Sequence, residues 1–363
     1  LQRMPIKTKD GKQGLLWHGT FGDAIMDELP DYTAEVEKVE DSKLLTALFR
    51  DYTFATSCYL LEPCDLQYRI DKTYGLGRQT LPKKLAVPLS IIAKKIGARP
   101  YMEYALSYAL YNYAFKDGNA DNLQYDNFKL IRTMDGSLAE HGFILVHVAM
   151  VAHSGKLVSG AREILNAASW KDRDAFDEGM RNLYKANVDV NQTMETMWNR
   201  SSSQGYNDFR TFIMGTFNQP MFPDGVLYEG VSEERTQYRG ESGANDSMIP
   251  TLDNLLQATN YMPQNPLTEV LLDFRKYRPG NHNDWLTEVK NRADQVGVYD
   301  FASGDATSLV LYLQNLDMVR EFRMRHWNFT KEYIMKYSDH PVATGGSPIV
   351  TWLPNQLSAI MDL

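Results

Sequence analysis

The sequence predicts an all-α fold in two helical units. Three observations carry this. Apolar residues recur at steps of three and four through most of the chain, the spacing of one helix face. No stretch sustains the period-2 alternation of a half-buried strand. Gly, Ser and charge break the pattern at two long segments, 228–247 and 338–356. The 363 residues suit roughly two domains of 100–200 residues each.

The elements follow in order. "TAEVEKVEDSKLLTALFRDYTFATSCYLL" (33–61) reads as helix. "VPLSIIAKKIG" (87–97) reads as a short helix with Pro88 in its first turn and Gly97 at its end. "YMEYALSYALYNYAF" (101–115) reads as an aromatic helix. A linker is expected near "TMDGS" (133–137), separating a smaller N-terminal unit, 1–134, from a large helical unit, 135–363. "SLAEHGFILVHVAMVAHSG" (137–155) is nearly all apolar and should be central. Residues 176–200 place Phe176, Met180, Leu183, Val190, Met194 and Met197 on about one side. Two further helices are expected at 248–259 and 267–277, and "DATSLVLYLQNLDMVREFRMRHWNFTKEYIMKY" (305–337) closes the core.

Composition narrows the function. Hydrophobic residues are 43% and charged residues 23%, an ordinary globular mix. With 38 Lys+Arg against 46 Asp+Glu the formal charge is −8, which argues against nucleic acid or an anionic membrane as partner. Two cysteines, Cys58 and Cys64, make neither a disulfide framework nor a zinc cluster, and a reducing cytoplasm is expected. No leader is read in the polar N-terminal stretch. The longest apolar run, near 143–153, is too short for a bilayer, which needs ~20 residues.

The chemistry turns on histidines. Val319, Phe322, His326, Phe329 and Tyr333 follow at steps of 3, 4, 3 and 4. His326 therefore points into a core, where its ring needs a protein partner or a metal. A lone histidine on an apolar face is more often a satisfied core residue. A second one, His147, sits in "HGFILVHVAM" and shares a face with Phe143 and Met150. Two buried histidines on two core helices can bracket one large flat ligand, one ligating iron and the other working on the opposite face. Neither offers zinc-like spacing. Arg210, among Phe209, Phe212 and Ile213, either snorkels outward or grips a carboxylate in an apolar pocket; the pattern alone does not choose. "GESGANDS" (240–247) and "ATGGS" (343–347) are flexible surface loops or close approaches to a flat cofactor.

These pieces, in this order, resemble the indoleamine 2,3-dioxygenase family of haem proteins. The likeness runs from "LPKKLAVPLSIIAKK" (81–95) to "TGGS" (344–347), through "FPDGVLYEG" (222–230), "YRGESGANDS" (238–247), "FRKYRP" (274–279), the His326 helix and "GGSPIVTWL". The resemblance implies b-type haem with O₂ as co-substrate and His326 as proximal iron ligand. It implies that Arg323 meets a haem propionate together with Asp253. Ser242 and Gly243 would lie against haem and substrate. Arg210 would grip the substrate carboxylate, and Thr344 would contact the amino-acid end from a closing loop, 338–356. Tyr104, Ser107, Tyr108 and Phe143 would line the indole pocket.

Two departures stand out. His147 occupies a serine position of the mammalian members, and a histidine there is similar to the related tryptophan 2,3-dioxygenases. Where the family has a phenylalanine five residues before Arg210, this chain has Gly205, leaving Tyr206 or Phe209 to fill the space. The implied reaction is cleavage of the indole C2–C3 bond of L-tryptophan or a related indoleamine to an N-formylkynurenine-type product. His147 would orient the indole N–H. An electron donor would keep the iron ferrous, and a monomer is favoured. The rival readings are a haem monooxygenase or rearranging enzyme of the same superfamily, a non-catalytic haem or gas sensor, and a haem-free helical interaction protein.

Overall fold

The computed structural model describes residues 1–261, 273–340, 342–349, 354, 357 and 358. The helix expected at 267–277 and the closing loop at 338–356 therefore lie partly outside the described residues. The architecture is helical, as the apolar spacing predicts. Short helices at Leu15–His18, Phe21–Glu28 and Thr33–Glu37 precede α1 (Ser42–Asp71) and α2 (Lys83–Ile96). The helix expected over 33–61 is broken at 38–41. Asp41 has an extended backbone and its carboxylate accepts the Leu44 amide at 2.7 Å, which restarts the helix as α1. α2 begins four residues before the expected start, so Pro88 falls inside it; Gly97 ends it at φ 70°.

The aromatic stretch 101–115 is not a helix. Buried Glu103 caps a single π-helical turn, Tyr104–Tyr108, by accepting the Ala105 and Leu106 amides. Asn112 then exchanges two hydrogen bonds with the Arg132 backbone, at 3.0 and 2.8 Å. With that clamp in place, β2 (Tyr113–Phe115) pairs antiparallel with β3 (Phe128–Leu130). A second small sheet joins β1 (Thr80–Leu81), β4 (Val226–Tyr228) and β5 (Arg235–Thr236), in the order β1-β4-β5. Segments of two or three residues are too short for period 2 to register.

The expected linker at 133–137 is a fastened corner. Ile6 and Lys7 donate to the Met134 and Asp135 carbonyls at 2.8 Å each. The Glu140 carboxylate accepts the amides of Met134, Asp135 and Gly136, and Ser137 Oγ accepts the Glu140 amide. This reciprocal cap starts α3 (Leu138–Val151). α3 and α4 (Ser154–Trp170) together carry a stretch with the length and apolarity of a membrane span, half of it buried. They are separate helices of 14 and 17 residues, broken at 152–153.

The large unit continues with α5 (Arg173–Glu195), α6 (Ser203–Arg210), α7 (Met248–Leu255), α8 (Gly280–Val296) and α9 (Ala306–Phe329). α9 passes without interruption into a π-helical turn, Thr330–Met335. One hydrophobic cluster runs from Met4 to Tyr333, across the expected domain boundary. α5 and α9 pack through a polar seam inside this core. Asn187 donates to Asn315 at 3.0 Å, Asn315 donates to the Met180 and Leu311 carbonyls, and Asn191 donates to the Asn187 and Met318 carbonyls.

Candidate active site

The C-terminal end of α9 opens onto a cavity of about 890 Å³, its mouth included. One wall is His326, Phe329, Thr330 and Tyr333 from α9 and its π-turn; Phe143 and His147 of α3 also line it. The loop Glu241–Ser242–Gly243 forms a third side, and Ala343, Thr344 and Ser347 a fourth. π-turns often mark functional sites because they displace side chains from the regular helix face. Here one of them carries Thr330 and Tyr333 to the wall. The other places Tyr104 edge-on to the His147 ring, centroids 5.8 Å apart.

The two histidines are held neutral. Burial lowers the His326 pKa to about 4. Burial, and then the nearby His326 ring, lowers that of His147 to about 4. The His147 ring lies 5.0 Å from Phe143, and its buried Nδ1 has no hydrogen-bond partner. Nor does any described residue bond the His326 ring. Two neutral imidazoles with lone pairs to offer therefore meet one cavity, the condition for ligating a metal or accepting a proton.

The charged groups around the site are incompletely paired. One turn before His326, Arg323 Nη2 donates to Asp253 Oδ2 of α7 at 2.7 Å. Arg323 Nη1 and Asp253 Oδ1 are buried without partners. Burial raises the Asp253 pKa, opposed by Arg323. Arg210, at the end of α6, is fully buried, and none of its three guanidinium nitrogens has a partner among the described residues. It does not line the cavity; Tyr206, one turn earlier, does. Its charge reaches Tyr68 and His340, and the Tyr74 and Tyr206 hydroxyls lie beside it without meeting hydrogen-bond geometry.

The departure at Gly205 has a steric cause. A Cβ there would stand 2.5 Å from Ala139 Cβ, so α6 and α3 approach too closely for a phenylalanine. Tyr206 fills the wall instead, its ring 4.9 Å from Phe143.

The described part of the 338–349 segment is seated. Arg239 and Gly215 bind the Gly345 and Thr344 carbonyls, and Asn218 and Gln219 bind those of Gly346 and Ala343. A Cβ at Gly345 would lie 2.5 Å from the Phe274 ring, and Gly346 has φ +84°. The two glycines of "TGGS" are thus required for Thr344 to reach the wall.

The structure brings His326, His147, Phe143, Ser242, Gly243 and Thr344 onto one cavity, with the Arg323–Asp253 pair one turn away. Tyr104 stands one layer out. Ser107 is turned into its own backbone, accepting from the Glu103 amide and donating to the Glu103 carbonyl. Tyr108 packs on Phe54 with its hydroxyl unpartnered. Neither Ser107 nor Tyr108 lines the cavity. Sequence reasoning missed Glu241, a buried carboxyl in the wall. Its only signal is an acidic residue inside a run of small ones, which reads equally well as a surface loop.

A family model described as indoleamine 2,3-dioxygenase matches residues 53–348. The chain belongs to the indoleamine 2,3-dioxygenase family. The match begins upstream of the likeness read from residue 81. Indoleamine 2,3-dioxygenase 1 of Rattus norvegicus is 24% identical over 72% of this chain and 64% of its own length. An indoleamine 2,3-dioxygenase of Penicillium citrinum is 26% identical over 78% of this chain and 69% of its own. A protein named myoglobin from Haliotis madaka is 25% identical over 77% and 73%. The chain spans 62–64% of the length of the rat and human relatives it matches.

The family implies a haem, and the residues present fit one. A neutral histidine at a cavity wall suits a proximal ligand, and an orphaned Arg323 N–H one turn away suits a propionate.

Proposed function

We propose that this chain is a haem-dependent dioxygenase that cleaves the indole C2–C3 bond of L-tryptophan or a related indoleamine, giving an N-formylkynurenine-type product. The observation that carries the reading is the pair of neutral imidazoles meeting one cavity beside buried, unpartnered polar groups. Bound haem b supplies the activation of O₂. His326 would hold the iron, and the Arg323–Asp253 pair would receive a propionate.

The remaining roles belong to the chain's own residues. Nδ1 of His147 accepts the indole N–H and fixes the ring over the site. Arg210, a buried cation without an internal anion, takes the substrate carboxylate; an unpaired buried charge is costly, and an anionic ligand removes that cost. Phe143 and Tyr206 pack the indole. Ser242, Gly243 and Thr344 close over it and exclude water. An external electron donor keeps the iron ferrous. A reducing cytoplasm agrees with the free, buried Cys58 and Cys64.

The relative named myoglobin gives the sensor or carrier reading a specific basis. One experiment separates the alternatives. The haem-reconstituted, reduced protein is incubated with L-tryptophan under ¹⁸O₂, and the product is weighed. Two labelled oxygen atoms support the proposal, and one identifies a monooxygenase. A stable O₂ complex whose spectrum ignores tryptophan identifies a non-catalytic haem protein.

A further inference from the structure

The wall residue left without a role is Glu241. It is 4% exposed and lines the cavity between Gly240 and the Ser242–Gly243 loop. Its amide is fixed to the Ile213 carbonyl at 3.1 Å, so the backbone beneath it is anchored. Among the described residues, no Lys, Arg or His forms an ion pair with its carboxyl. The ion pairs Arg323–Asp253 and Arg239–Asp273 use other carboxylates. A carboxyl walled into a ligand cavity without a cation of its own is a receptor for one brought by the ligand.

We propose that the Glu241 carboxyl is the group of this chain that receives the ammonium of the substrate. This rests on the indole reading above and deepens it. The ammonium is the feature Glu241 reads, so an amine lacking a carboxylate is still held.

The titratable groups around Glu241 agree with this. Glu103 is the nearby acid, and Tyr104, Tyr108 and Tyr206 feel the Glu241 charge. His147 and His326 share the cavity, both neutral. None supplies a positive charge at pH 7. Burial, then Glu103, pushes the Glu241 pKa up to about 8, so the empty site holds a neutral acid. Binding a cationic amine favours the carboxylate. The Glu241 proton leaves to solvent, no other bond changes, and the charge of the site is balanced by the ammonium.

The test uses the haem-loaded protein kept ferric, so that nothing turns over. Calorimetric titrations at pH 7 compare three probes: tryptamine, L-tryptophan and indole-3-propionate. Wild type should release a proton on binding tryptamine, seen as a buffer-dependent heat. Glu241→Gln should weaken tryptamine and L-tryptophan by roughly 10- to 100-fold. It should abolish the proton release and leave indole-3-propionate unchanged. Glu241→Asp should recover part of the preference for amines. Equal losses for all three probes, no losses, or no proton release from wild type with tryptamine would each overturn the assignment while leaving the indole site standing. The proton measurement needs no variant, so it decides even if Glu241→Gln does not fold. Failure of wild type to bind any of the three probes would bring down the indole reading and the Glu241 role with it.

Discussion

The two halves of α9 run through the same core and obey opposite rules. Around Asn315 every polar group is answered: Asn187, Asn191, Met180 and Leu311 close a network between α5 and α9. Nearer the start, the Ser308 hydroxyl donates to Asp177 at 2.5 Å and accepts from Arg173 at 3.0 Å. At the other end, Arg323 keeps one unpartnered nitrogen and His326 has no bond from the described residues. His147 across the cavity and Arg210 on α6 are orphaned as well. Buried polar groups are normally satisfied, and an orphan costs about 1–3 kcal/mol. The satisfied half is structural. On the proposed function, the unsatisfied half is left for haem and substrate to complete.

Four experiments test that contrast. The largest effect is expected at His326. His326→Ala should abolish the normal haem absorption spectrum while the haem-free protein keeps its helical circular dichroism. A variant with an unaltered haem spectrum would return His326 to the core as an ordinary residue.

Asn315→Ala should do the reverse. It leaves the Met180 carbonyl and Asn187 short of partners and should cost about 3 kcal/mol of stability in urea unfolding, with haem affinity retained. A small stability loss together with weakened haem would erase the distinction between the two halves.

Arg210→Met sharpens it from the functional side. Replacing an unpaired buried charge by an apolar chain should stabilise the ligand-free protein by about 1–4 kcal/mol. The same change should weaken L-tryptophan binding by roughly 10- to 150-fold. Destabilisation with unchanged binding would show that Arg210 serves the fold.

The smallest effect is the pH dependence of the haem-free protein. His147 and His326 have folded pKa values near 4 against 6.5 when free, so between those limits the unfolded chain binds more protons. Their contribution to stability should fall as pH drops from 6.5 toward 4. Glu241, Glu103 and Glu140 have folded values near 8 against 4.5, so the folded chain binds more protons there. Their contribution should fall as pH rises from 4.5 to 8. Three acids outweigh two histidines above about pH 4.5, so thermal midpoints should peak near there and decline toward pH 8. His147→Ser should flatten the acid limb, and Glu241→Gln the alkaline one. Midpoints that rise steadily to pH 8 would show that the buried acids are ionised.

The sequence by itself determined the helical class, the approach of two histidines to a common core, and the family. Each is written in local spacing: steps of three and four around His326 and His147, and short motifs such as "YRGESGANDS". It misjudged 101–115, because an apolar aromatic run cannot say whether a buried Glu103 will cap a π-turn and an Asn112 clamp will turn the rest into β2. It placed a linker at 133–137, because the anchor there is a carboxylate, Glu140, met by amides from a corner that only the fold assembles. Only tertiary structure decided what is satisfied and what is not. Nothing local distinguishes Asn315, fully bonded, from Arg210, fully orphaned, or marks Glu241 as a wall of the cavity. Those facts depend on which distant groups arrive beside each side chain, and burial gives them their energetic weight.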